Sequence, residues 1–228
     1  AVYEADVLIC IGGTSDAWVE NMLADAPDVM AVRMMDSVQP LEEAHAEHGH
    51  EDISYDEHIW TSPVNMRAML ASVAEALCAA DPQNAETYRA NAEACDAELA
   101  RLDQTFRNLV AGAARTELVF ADRFPLLYFA RAYGLEYYAA WPGCADEAEP
   151  SSATVAFLID KVNEEHIPVV FHIELSNEDM ADTICEATGA EKLLFSACHN
   201  VTRAQFEEGV TYLDLMRQNV DALREALS

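Results

Sequence analysis

From Pro82 to Ala111 the chain runs as "PQNAETYRANAEACDAELARLDQTFRNLVA", with no glycine and no proline after the first residue. Its apolar positions Tyr88, Cys95, Leu99, Leu102, Phe106 and Leu109 are spaced to fall on one face of an α-helix. At ~1.5 Å per residue, about 28 helical residues make a rod of roughly 42 Å. That is long for a crossover helix inside one small domain, and it reads as a strut between two lobes. Asp81 and Pro82 supply the start signal, because a proline in the first turn gives up no helical hydrogen bond.

Short apolar runs and helical patterns alternate on both sides of the strut. "ADVLICIGG" is a buried strand and a turn, "SDAWVENML" a helix with Ser15 as cap, and "VMAVRMM" a second strand. Ser62 as N-cap and Pro63 at the first helical position open a helix at "TSPVNMRAMLASVAEALCAAD". After Gly112 come four strands, "TELVFA", "LEYYAAW", "IPVVFHIE" and "EKLLFSAC". The helices between them are "PLLYFARAYG", "SSATVAFLIDKVNEEH" and "NEDMADTICEATG", the last capped by Ser176. "FEEGVTYLDLMRQNVDALREAL" reads as one closing helix. Strands alternating with helices imply a parallel sheet covered on both faces. The expected fold class is α/β, with two lobes joined by one long helix. The boundaries are 1–81 for the first lobe, 82–111 for the linking helix and 112–228 for the second lobe.

Thirteen Lys and Arg against 41 Asp and Glu give a formal charge of -28. Binding to nucleic acid phosphates or an anionic membrane face needs the opposite sign, whereas such a field favours cations. No apolar run approaches the ~18 residues that span a bilayer. The six cysteines are dispersed, without a CxxC pair, and read as apolar filler. The chain opens inside a structured pattern with no signal peptide, so it is either cytosolic or lacks an N-terminal part.

In open parallel sheets, ligands bind beyond the carboxyl ends of the strands. The polar residues there are Asp122 and Arg123, Glu174, then His199 and Asn200, and His58 precedes the Ser62 cap. Two imidazoles and two carboxylates converging on a cleft suit zinc or manganese. Each also has a plainer role: Glu174 as a cap of the next helix, Asp122 as the holder of a turn. His172 reads as a core histidine, His166 as a partner of a helix C-terminus, and Cys144 as a loop thiol. His58 lies in "EEAHAEHGHEDISYDEHIWTSP", with His45, His48 and His50 upstream. There is no GxGxxG, no GxxxxGK[ST], no GxSxG and no HExxH.

"DEHIWTSP" at Asp56–Pro63, followed by Asp81, Pro82, Asn84, Tyr88 and Asn91, carries a resemblance. The chain resembles the zinc/manganese-binding (ZnuA/TroA-type) solute-binding proteins of bacterial ABC importers. The likeness continues through "YFARAYGL", "EPSSATVAFLIDKV" and "TYLDLMRQNVDALREAL". It implies His58 as a metal ligand and His199 at the position of a late Asp ligand, with Glu174 matching a cleft glutamate. At "FADRF" the ligand column gives Ala121, leaving Asp122 to take over. A further family histidine lies upstream of "ADVLICIGG", so the chain resembles a member that begins partway through its first lobe. His45, His48 and His50 fall where zinc-specific members carry a mobile metal-gathering loop; a solvated acidic loop is the plainer reading.

The function that the resemblance implies is extracytoplasmic capture of Zn(II), or of Mn(II), by a periplasmic or lipid-anchored monomer that delivers it to an ABC permease. No reaction is catalysed, and no nucleic acid is bound. One alternative is a surface adhesion lipoprotein of the same fold that has lost metal binding. A zinc hydrolase with Glu174 as general base is another, and it needs an open coordination position and a substrate pocket.

Overall fold

The computed structural model describes residues 4–43, 54–141 and 150–228. His45, His48, His50 and Cys144 lie outside the described residues. The first lobe holds the parallel pair β1 (Val7–Cys10) and β2 (Met30–Arg33), in register Val7 with Met30. α1 (Ala17–Ala24) connects them, and α2 (Pro63–Ala80) packs beneath. Met34, Ile59 and Met69 form the core of this lobe, and Tyr128 of the second lobe completes it.

The strut is α3 (Ala85–Ala111), 27 residues or about 40 Å at ~1.5 Å each. It begins three residues later than the sequence suggests, because Pro82–Asn84 form a 3₁₀ turn. One carboxylate oxygen of Asp81 accepts from the Asn84 amide at 2.6 Å and the Tyr88 hydroxyl at 3.0 Å. Those two bonds set the angle between α2 and α3. The helix then packs on α2 at one end and on α8 at the other.

The second lobe is a four-stranded parallel sheet in the order β4-β3-β5-β6: β3 (Glu117–Arg123), β4 (Glu136–Trp141), β5 (Val169–His172) and β6 (Glu191–Leu194). Alternation along β3 sends Leu118 and Phe120 to one face, Val119 and Ala121 to the other. On the first face α3, α4 (Leu127–Tyr133) and α8 (Tyr212–Ala226) cover a cluster built on Phe106, Phe120, Phe129, Phe171 and Phe195. On the second, α5 (Ser152–Glu164) and α6 (Asp179–Thr188) supply Leu158, Val162, Ala181 and Ile184. The chain moves outward from β3 to β4, then crosses back to β5, so the topological switch lies between β3 and β5. It is beyond the carboxyl ends of the strands at such a switch that open α/β sheets bind ligands.

Three local expectations give way. The closing segment is two helices, α7 (Arg203–Glu208) and α8, because Gly209 turns left-handed at φ 73° and Thr211 starts a new capping box with Asp214. Ser176 donates its hydroxyl to the Ile173 carbonyl and does not cap α6, whose N-cap is Glu178. Ser15 sits inside a 3₁₀ turn, Thr14–Asp16, that precedes α1.

Candidate metal centre

His58 stands at the start of a 3₁₀ turn, Ile59–Thr61, that leads into α2. His199 follows β6 by five residues, in the loop before α7. The fold brings these two rings, from opposite lobes, to 4.9 Å between centroids at an interplanar angle of 87°. Trp60 completes an edge-to-face triangle, at 5.4 Å from His58 and 5.2 Å from His199. Its indole Nε1 donates to the Ala197 carbonyl at 2.9 Å, and its own carbonyl accepts from the Tyr212 hydroxyl at 3.0 Å. The Trp60 segment is thereby fastened to both the β6 loop and α8.

Behind His58 stands Asp56, only 5 % exposed. Its Oδ1 accepts from the His58 backbone amide at 2.8 Å and lies 3.0 Å from the ring Nδ1. Glu174, just beyond β5, accepts from the backbone amides of Ala197 and His199, each at 2.7 Å. Its Oε1 is 4.0 Å from the His199 Nδ1. Burial, then the neighbouring His58, hold the His199 imidazole below its ordinary pKa, and Glu174 and Asp56 only partly offset this.

Asp122 is buried, and both of its oxygens go to backbone amides: Oδ1 to Arg123 at 2.8 Å and Oδ2 to Ile173 at 3.1 Å. It ties the end of β3 to the end of β5 across the switch point, which makes it the holder of a turn. Cys198, beside His199, keeps its proton: burial pushes the thiol up to about 12 despite the Ser196 hydroxyl. His172 faces its neighbour's carbonyl, and His166 gives its carbonyl to Arg115. Among the described residues, no three His, Cys, Asp or Glu side chains already stand close enough together to hold a metal ion.

Two features could not be read in the sequence. Leu175 at φ 58° and Cys198 at φ 57° are two of three described non-glycine residues with left-handed backbone, and they directly adjoin Glu174 and His199. Such strain concentrates where a fold fixes a site. On the first-lobe side, a cavity of about 440 Å³ next to His58 is lined by Thr14, Ser15, Glu43, Tyr55, Glu57 and Trp60 among others. The Glu57 carboxylate accepts from the Thr14 hydroxyl at 2.7 Å and the Ser15 amide at 3.0 Å. Partial burial pushes Glu57 up, but these bonds outweigh it and hold the group below the usual carboxylate range. Only glycine at position 13 leaves room for it, since a Cβ there would come within 2.2 Å of the carboxyl carbon.

The high-affinity zinc uptake system protein ZnuA of Bacillus subtilis is 28 % identical over 172 residues, which cover 75 % of this chain and 53 % of that protein. The zinc-binding lipoprotein AdcA of Streptococcus pneumoniae is 25 % identical over 98 % of this chain and 46 % of its own length. The chain thus spans about half the length of these curated relatives. Among solved structures, the metal-dependent lipoprotein YcdH of Bacillus subtilis superposes with a TM-score of 0.84 at 24 % identity, over 100 % of this chain and 82 % of that one. No helix among the described residues is long and apolar enough to cross a membrane. The family described as "ZnuA: Zinc-uptake complex component A periplasmic" matches residues 1–226, and the chain belongs to it.

Proposed function

We propose that the chain is the extracytoplasmic metal-binding component of an ABC importer. It captures Zn(II) in the cleft between its lobes and hands it to the permease, catalysing no reaction. The observation that carries this reading is the meeting of His58 and His199, one from each lobe, at the strand ends of a family member's fold. Two imidazoles favour zinc over manganese. Glu174 is the third donor. A carboxylate offers about four lone-pair directions, so Glu174 can keep both amide bonds and still face a cation beside His199. Asp122 contributes by holding Ile173, and through it Glu174, at the mouth of the cleft.

Calorimetric titration of the protein with zinc and, separately, manganese tests this. One zinc per chain is expected, bound more tightly than manganese. His58→Ala and His199→Ala should each weaken zinc binding about tenfold or more, since loss of groups around a metal commonly costs that much. Unchanged affinity in both variants refutes the site, and tighter manganese binding makes this a manganese importer. His45, His48 and His50 are assigned to metal gathering, so deleting residues 42–52 should remove weak extra zinc and leave the tight site intact.

A further inference from the structure

Asp56 stands beside His58 without itself being placed among the metal donors. Its backbone is fixed at both ends. The Asp56 amide donates to the Leu41 carbonyl at 2.9 Å, and the Asp56 carbonyl accepts from the Tyr128 hydroxyl at 2.8 Å. Tyr128 belongs to α4 of the second lobe, is 4 % exposed, and also accepts from the Leu41 amide at 3.0 Å. A single buried oxygen, Asp56 Oδ1, then takes both the His58 backbone N–H and the His58 ring Nδ1.

An ionised carboxylate only accepts hydrogen bonds, so a neutral His58 that faces it through Nδ1 must carry its proton there. The ring's lone pair then sits on Nε2. We propose that Asp56 selects the Nδ1–H tautomer of His58, and that Tyr128, reaching from the opposite lobe, holds Asp56 in the position from which it does so. Both are positioning residues. The chain Leu41–Tyr128–Asp56–His58 prepares one metal donor before any metal arrives, and the carboxylate raises the ring's basicity once it binds. This rests on the reading of His58 as a zinc ligand.

The test uses the whole protein labelled with ¹⁵N at its histidines, metal-free, at about pH 8 where imidazoles are neutral. Ring nitrogen shifts and couplings report which nitrogen of His58 bears the proton. The wild type is expected to show Nδ1–H. Asp56→Ala should release the ring to Nε2–H or to a mixture, and weaken zinc by about ten- to a hundredfold. Asp56→Asn, which keeps an acceptor oxygen of the same reach, should restore Nδ1–H and most of the affinity. Tyr128→Phe should give a mixed tautomer with the helical signal unchanged. A His58 that stays Nδ1–H in Asp56→Ala overturns the proposal, as does a wild-type ring protonated at Nε2; an unaltered ring in Tyr128→Phe removes that residue from it. His58→Ala separates the two readings. If it leaves zinc affinity unchanged while the tautomer responds to Asp56, the metal site lies elsewhere and the positioning stands.

Discussion

At the scale of single residues, the pH response of the site follows from where His199 sits. Its folded pKa lies below the ordinary ~6.5, so the ring is neutral at pH 7 and stays neutral somewhat below it. Metal competes with a proton for the same lone pair, so the His199 share of zinc affinity should hold through neutrality. The steep loss attributable to His199 should come only as pH falls through its depressed pKa. Ring shifts of His199 followed by NMR in the metal-free protein between about pH 5 and 8 check this; a His199 midpoint above ~6.5 contradicts the burial argument. His58 was legible in the chain because its motif is local: the aspartate, the tryptophan and the Ser-Pro helix start lie within eight residues of one another. Asp122 was not. Its neighbours in sequence do not reveal that the Ile173 amide, 51 residues away, claims one oxygen. Only the folded chain shows the Tyr128 and Tyr212 hydroxyls reaching the Asp56–Trp60 segment.

At the scale of elements, α3 packs along α2 on one side and against α4 and α8 on the other, and Phe106 is its fully buried aromatic in the second-lobe core. It is fully buried and meets Phe129 edge-to-face at 4.9 Å and Tyr133 at 5.2 Å. Phe106→Ala should lower unfolding stability by about 3–5 kcal/mol, read from urea denaturation followed by circular dichroism. A loss under ~1 kcal/mol would show that the cluster closes over the gap. Periodicity exposed this helix and nearly every strand, because burial on one or both faces imprints a repeat on the residues. It missed the break at Gly209, since "FEEGVTYLDL" keeps its apolar rhythm through the turn while Gly209 and the Thr211 cap divide it. β6 stops at Leu194 for a related reason: Phe195 and Ala197 stay buried beyond the ladder, so the apolar run outlasts the strand.

For the whole molecule, the acidic excess is the dominant long-range term. A charge of -28 on 228 residues repels itself and attracts divalent cations, both through fields that salt screens over about 10 Å at 0.1 M. Raising sodium chloride from about 0.01 to 0.5 M should therefore raise the unfolding midpoint and slow zinc association, the latter measured by stopped flow. Equal association rates at both salts would mean that the acidic surface plays no part in capture. Composition alone announced this field.

Trp60 packs edge-to-face against both imidazoles, while the protein's other tryptophans sit elsewhere, Trp18 57 % exposed on α1 and Trp141 against Arg123. An indole in contact with imidazoles emits according to their state, because a protonated or metal-bound ring withdraws electron density from its excited partner. The molecule thus carries its own optical gauge: Trp60 emission should change as the cleft fills and should be lost in Trp60→Phe, making loading visible without any added dye.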